Sequence, residues 1–434
     1  MRAADVRARL DAAPMSGTQV RAVALTVLLS ALDGFDVLSA TFAAPAISMA
    51  WGVGKAVLGV VLSAGLAGMA LGAFLLAPLA DVIGRKAMVL IALALMAVGM
   101  LLSAFATDMT TLALWRVVTG LGVGSCVAVI NPIAAEFANA RRRALTVSMM
   151  AIGYPLGGVV GGLIAAALLK AHGWSSVFLA GFVAAVVLLP ITSWLLPESL
   201  AFLLTRRGEG ALKRLNAVLT RCGHDPLDAL PIADEIKARG YAAVFSPEQL
   251  GGTLWITLCN ALFVLTVYYV LSWLPQMVAD AGFPPAKASL ASATASLAGV
   301  AGGLLLGWMA QGGGLRVLVG GGMVALGLAT AAFGLTPPVL SLLIGAAGVC
   351  GFFLFGAASG AYAVLATTFR DEARASGTGF VSGTGRVSSA IAPSLAGALF
   401  AAGLSRAEVS IAFGACSVLA GLILFFGWQR FRPS

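Results

Sequence analysis

Asp33 and Asp36 stand three residues apart in the run Leu32-Asp33-Gly34-Phe35-Asp36, in the middle of an apolar stretch long enough to cross a bilayer. An ionised carboxylate at the centre of a membrane helix costs roughly 2.5–3.5 kcal/mol even on insertion scales, so such a pair persists only with a partner, a water-filled cavity or a proton. The chemistry open to it is uptake and release of a proton. Arg116 and Arg386 also fall inside apolar stretches. A guanidinium stays charged there and offers a planar fork that grips a carboxylate with two hydrogen bonds. Arg116 is thus a candidate partner of Asp36 at a proton site, and Arg386 a candidate anchor for an external carboxylate.

The elements that must position these groups follow from composition. Of 434 residues, 60% are hydrophobic and only 10% charged, which is too apolar for a soluble protein. The expected fold class is an all-α polytopic membrane protein. Apolar runs of spanning length fall near 22–45, 57–80, 87–106, 110–135, 144–169, 175–196, 253–279, 288–310, 317–335, 339–367, 376–402 and 408–428. These give twelve transmembrane helices in two six-helix bundles, 22–196 and 253–428. A cytoplasmic N-terminus (1–21), a cytoplasmic linker (197–252) and a tail (429–434) complete the chain; within the linker, 206–221 and 231–239 read as short amphipathic helices.

Charge sets the orientation. Lys55, Lys170, Lys287 and Arg406 are the basic residues of the odd-numbered connections; apart from Arg116 and Arg386, every other Lys and Arg lies at the termini or in the even-numbered connections. Both termini are therefore expected in the cytoplasm. The first apolar run is too long for a cleavable signal core, so it is expected to stay in the mature protein. The same asymmetry accounts for the net charge of +9 without a nucleic-acid partner. Cys126, Cys259, Cys350 and Cys416 fall in spans and Cys222 in the linker, a distribution that predicts free thiols and no metal. No nucleophile–base pair, zinc signature or phosphate loop is present, so neither catalysis nor a cofactor is expected.

At about 1.5 Å per residue, Asp33 and Asp36 lie about 18–22 Å into the first span, and Arg386 is near mid-depth in the eleventh. Glu136 is about 30 Å along the fourth span from Arg116, so those two charges cannot serve one site. Asp36, nearer in depth to Arg116, is the expected titrating group; Asp33 is the expected link to a substrate on Arg386.

The stretch Ala77-Pro-Leu-Ala-Asp81-Val-Ile-Gly84-Arg85-Lys86 after the second span is echoed 230 residues later by Gly307-Trp-Met-Ala-Gln311-Gly-Gly-Gly314-Leu315-Arg316. A parallel six-helix repeat of this kind is a transporter signature. The first copy resembles the major facilitator loop motif, with Ala77 and Val82 replacing its usual Gly and Arg and Gln311 replacing the acid of the second copy. Asp33-Gly-Phe-Asp36, Arg116-x3-Gly120-x-Gly122-x-Gly124, Asn131-Pro-x3-Glu136-Phe137-x3-Arg141, Leu196-Pro-Glu198-Ser199, Tyr268-Tyr-Val-Leu-Ser-Trp273 and Arg374-Ala-Ser-Gly377-x-Gly379-x5-Gly385-Arg386 together resemble the aromatic acid:H+ symporters. Phe137 and Ser175 depart from that pattern, which leads us to expect Tyr and Arg there.

The resemblance implies a secondary transporter of the bacterial inner membrane, active as a monomer, that imports a small aromatic carboxylate such as benzoate or a hydroxybenzoate with a proton. It implies proton coupling at Asp33, Asp36 and Arg116. Substrate binding would fall to Arg386 with Tyr154, Tyr268, Trp273, Phe35 and Phe380, although these aromatics are equally suited to filling the core. Asp81, Gly84, Arg85, Glu136, Arg141, Glu198 and Arg374 would form a cytoplasmic gate. Symport of a non-aromatic, shikimate-like acid and a dual chemoreceptor role are the alternatives.

Overall fold

The computed structural model describes residues 3–208, 210–232, 244–309, 314–370 and 373–431. Gln311 and residues 233–239 of the second expected linker helix lie outside them. Twelve long helices follow one another: α1 (Gly17–Trp51), α2 (Lys55–Ile83), α3 (Arg85–Ala104), α4 (Met109–Glu136), α5 (Arg143–Ala171), α6 (Ser175–Leu195), α7 (Pro247–Asp280), α8 (Pro285–Met309), α9 (Leu315–Leu335), α10 (Leu340–Thr368), α11 (Arg374–Ala401) and α12 (Arg406–Phe431). Eleven of the described helices are long and apolar enough to cross a membrane. The remaining one, α11, has its apolar content diluted by Gly, Ser, Thr and Arg386.

Several helices outrun their apolar stretches because hydrogen bonding, not hydrophobicity, ends a helix. α1 begins at Gly17, where Ser16 and Gln19 form a reciprocal capping box, and it continues to Gly52 in the left-handed region. Asp108 caps α4; the backbone N–H of Thr111, helped by that of Thr110, holds its carboxyl below the usual range. The expected linker helix 206–221 is shorter, Ala211–Arg221, and a separate turn of helix precedes it at Leu200–Thr205. Leu200, Leu203, Leu215 and Leu219 of these pieces share one buried apolar cluster with Val6 and Leu10 of the N-terminal helix Ala3–Ala12 and with α3 and α4. Within that cluster, burial pushes the Cys222 thiol up to about 11.

Within the first half α1 packs on α5 and α6, and α4 on α2 and α3; in the second, α7 packs on α11 and α12, and α10 on α8 and α9. The halves meet through α2 with α11 and α5 with α8, two contacts that a six-helix repeat would exchange. α2 and α8 begin at Lys55 and Pro285, the same 230-residue offset as the loop motif.

Close backbone approach sets where Asp33 sits. A Cβ on Gly34 would fall 2.1 Å from the Tyr154 carbonyl oxygen, and one on Gly157 would fall 1.9 Å from that of Ala31. Only glycine permits α1 and α5 to touch in this way, the usual device of membrane-helix seams. The halves are joined mainly at the end of the bundle away from the chain termini. There Lys55 Nζ lies 2.8 Å from Asp280 Oδ2 and 5.1 Å from the Phe400 ring centroid, Ser394 N and Oγ bond Ser63 Oγ at 2.9 and 2.7 Å, and Gln276 Nε2 bonds Asp280 at 2.9 Å. Further along the same seam Gly383 of α11 faces the Phe74 ring of α2.

Gly157→Val should therefore push α1 from α5 and destabilise the protein by about 1–3 kcal/mol, as overpacked cores do. Thermal unfolding of the purified protein in detergent is the check; an unchanged midpoint would show that the two backbones are not in contact.

Candidate functional site

Two acids, Asp33 and Asp36, and two arginines, Arg116 and Arg386, occupy the middle of the bundle. Asp36 and Arg116 are 1% and 3% exposed. Arg116 Nη1 lies 3.4 Å from Asp36 Oδ1, a loose pair, while Nη2 donates at 2.8 Å to the backbone carbonyl of Asp36. Nη1 also approaches Ser39 Oγ at 3.4 Å, and the guanidinium sits 5.8 Å from the Phe178 ring centroid. The firmest hydrogen bond of Arg116 is thus to the main chain and survives whatever the carboxylate does. A narrow cleft bordered by Val37 and Thr41 of α1, Leu62 of α2, Tyr268 and Leu271 of α7 runs past this guanidinium.

The other two charges lie on opposite halves. Arg386 of α11 exerts its field on Asp33 of α1 and on Tyr268 of α7. Asn260 of α7 holds α11 beside it by donating to the Val381 carbonyl at 3.1 Å. Asp33 is 4% exposed, and its Oδ1 has no hydrogen-bond partner among the described residues. Tyr154, seated on Gly34, interacts electrostatically with Asp33, Tyr268 and Tyr362, and its ring centroid is 6.2 Å from that of Phe355 on α10. Arg386, Asp33, Tyr154 and Tyr268 are therefore brought together. Tyr362 was missed by sequence reasoning; its one signal is that it is the lone aromatic in the small-residue run Gly356-Ala-Ala-Ser-Gly-Ala-Tyr362.

Three expected ring-binding residues lie elsewhere. Phe35 turns into the first half, where its ring fills the space beside Gly161 and Gly181 that a Cβ would take. Trp273 is fully buried, donates from Nε1 to the Pro393 carbonyl at 3.1 Å and packs on Phe400 at 4.9 Å. It fastens α7 to α11 within the second half. Phe380, six residues and about 9 Å before Arg386 along α11, pairs edge-on with Phe245 just before α7.

The expected gate residues are also divided. Arg85 pairs with Glu136, which accepts from Ser199 Oγ at 2.6 Å. Glu198 accepts from the backbone N–H of Lys86 at 3.1 Å and of Ser199 at 2.8 Å. Gly84 turns there with φ 104°, and a Cβ would fall 2.4 Å from Glu198 Oε2. Glycine is required on both counts. Asp81 and Arg141 are exposed and make no hydrogen bond or ion pair among the described residues, and Arg374 is exposed on the other half. These bonds of Arg85, Glu136, Glu198, Ser199 and Lys86 all lie within the first half. Ser199 and Lys86 are the unexpected members of the network.

These features define a two-bundle secondary carrier with paired charges at its centre. A profile of the Major Facilitator Superfamily matches residues 26–311 and 256–434, and the chain belongs to that superfamily. It is 30% identical to the gallate transporter of Pseudomonas putida, over 99% of this chain and 96% of that one. It is also 30% identical to the 4-hydroxybenzoate transporter PcaK of Pseudomonas aeruginosa, over 97% of this chain and 93% of that one. In fold it is similar to the xylose transporter XylE from E. coli in a partially occluded inward open conformation, with TM-score 0.73 and 18% identity, covering 95% of this chain and 98% of that one. The resemblance carried by the motifs therefore agrees with the relatives, and the protein is a multi-pass membrane transporter and not an enzyme.

Arg116→Gln leaves Asp36 buried without its counter-ion and should cost about 3–5 kcal/mol. Asp36→Asn keeps the 2.8 Å bond to the main chain and should cost less, with the double variant less destabilised than the sum of the two. Denaturant unfolding in micelles measures all three; the reverse order of the single variants would contradict this geometry.

Proposed function

We propose that the protein imports a small aromatic carboxylate together with a proton by alternating access, as a twelve-span monomer of the bacterial inner membrane with both termini in the cytoplasm. The observation that carries this reading is a buried Asp33 with an unbonded carboxylate oxygen, lying within the field of Arg386 from the other half. Each half, 22–196 and 253–428, would move as a body, and the linker would travel with the first half on which it is packed.

This arrangement supplies a coupling mechanism. While Asp33 is ionised, it competes with any anion for Arg386. Protonation of Asp33 from the outer side removes that competitor, and the substrate carboxylate takes the guanidinium fork. With both charges neutralised, the cost of closing the site away from water falls and the halves can rock. Release of proton and acid to the cytoplasm restores the starting pair. Tyr268 and Tyr154 border the ring, and Arg116–Asp36 serves as the fixed charge pair behind them. Asp33 thereby takes the titrating role first expected of Asp36, because it lacks the main-chain clamp that Arg116 gives its neighbour. One proton with one monoanion moves no net charge, so the membrane potential, worth about 2.3 kcal/mol per charge at 100 mV, would not drive this cycle. The pH gradient would.

The relatives named for gallate and 4-hydroxybenzoate transport support the substrate class. Counterflow in proteoliposomes with benzoate, hydroxybenzoates, gallate and shikimate tests it: exchange of ring acids is expected, and exchange of shikimate alone would replace the aromatic reading. Asp33→Asn should retain counterflow but lose uphill uptake driven by a pH gradient; full accumulation by this variant would remove Asp33 from the proton path. Arg386→Ala should weaken carboxylate binding about 10-fold or more, as expected for loss of a charge-assisted hydrogen bond, measured by tryptophan quenching or isothermal titration.

A further inference from the structure

Tyr154 carries an oxygen that its surroundings do not use. Its hydroxyl is buried and has no hydrogen-bond partner among the described residues. A phenylalanine would fill the same space against Phe355 without burying an unbonded polar atom, which costs free energy unless something arrives to bond it. The position of that hydroxyl is not loose. The Tyr154 backbone is fixed against Gly34 at the closest approach of α1 and α5, so the ring leaves α5 beside Asp33 and reaches α10 of the other half.

A second buried atom without a partner, Asp33 Oδ1, belongs to the same group of residues. Arg386 acts on both Asp33 and Tyr268, and both of these act on Tyr154. The cluster accordingly has two ends: a guanidinium supplied by α11 of the second half and a phenolic hydroxyl supplied by α5 of the first, with Asp33 and Tyr268 between. An aromatic acid anchored through its carboxylate on Arg386 would direct the far edge of its ring towards Tyr154. A hydroxyl on that edge would meet an unused donor and acceptor; a hydroxyl beside the carboxylate would stay at the guanidinium end.

We propose that Tyr154 is a specificity-determining residue that reads a ring hydroxyl remote from the carboxylate, so that the substrate is a meta- or para-hydroxylated aromatic acid in preference to an unsubstituted or ortho-hydroxylated one. This rests on Arg386 as carboxylate anchor. Both ends of the ligand are then held by different halves, and the hydroxyl contributes to closing them on the substrate.

The experiment is competition counterflow in proteoliposomes with benzoate, 2-hydroxybenzoate, 3-hydroxybenzoate and 4-hydroxybenzoate, for the natural chain and for Tyr154→Phe. The natural chain should favour the 3- or 4-hydroxy acid over both benzoate and 2-hydroxybenzoate by roughly 10-fold, the scale of one well-made hydrogen bond. Tyr154→Phe, which keeps the ring and removes one oxygen, should bring that ratio towards one. If the natural chain exchanges ring acids without favouring a remote hydroxyl, or if the preference persists in Tyr154→Phe, the inference is overturned while the transport reading stands. If no ring acid is exchanged at all, the transport reading itself fails. The comparison among the four acids in the natural chain can overturn the inference by itself; if Tyr154→Phe does not fold, Tyr154→Trp, which also lacks the phenolic hydroxyl, takes its place with the same expected loss of preference.

Discussion

A charge in the middle of a bilayer must be compensated inside the protein, and four such charges meet in this one. Asp36 and Arg116 lie within one half, where a main-chain carbonyl fixes the guanidinium at 2.8 Å. Asp33 and Arg386 lie on opposite halves, with one carboxylate oxygen left unbonded. The first couple is an internal brace. Asp33 and Arg386 act on one another only through the field between the halves, so whatever changes that charge bears on how the halves sit. In the proposed cycle that is the whole basis of coupling.

The packing follows from the need to hold these groups at fixed depth. Lipid gives helices little hydrophobic reason to associate, so contact is won by close backbone approach. Gly34 and Gly157 bring α1 against α5, and this one seam sets both Asp33 and the start of the Tyr154 side chain. The contact of α2 with α11 and of α5 with α8 then closes the end of the bundle away from the termini. The devices there are modest: half-exposed Lys55 and Asp280, two serines and small residues. Exposed ion pairs contribute on the order of 0–1 kcal/mol, a strength compatible with a seam that must part.

The opposite end is organised differently. Arg85, Glu136, Ser199, Glu198 and Gly84 form a bonded network, but all within the first half. The linker pieces Leu200–Thr205 and Ala211–Arg221 and the N-terminal helix are packed beneath the same half. The first half thus carries these accessory pieces of the chain.

Much of this was legible in the chain itself. Apolar runs of spanning length gave the helices, and the cost of intramembrane charge singled out Asp33, Asp36, Arg116 and Arg386 before any contact was known. Spacing along a helix also separated Glu136 from Arg116. Direction was not legible. Phe35, Trp273 and Phe380 have the right chemistry for a ring-binding wall, yet which side of a helix faces the seam depends on how neighbouring helices are rotated, and Gly161, Pro393 and Phe245 claimed those rings. Composition and periodicity are properties of single helices, so they determined the class of protein and the depth of its charges. Which charges pair, and which hydroxyl is left without a partner, are properties of helices packed against one another, and only the tertiary structure decided them.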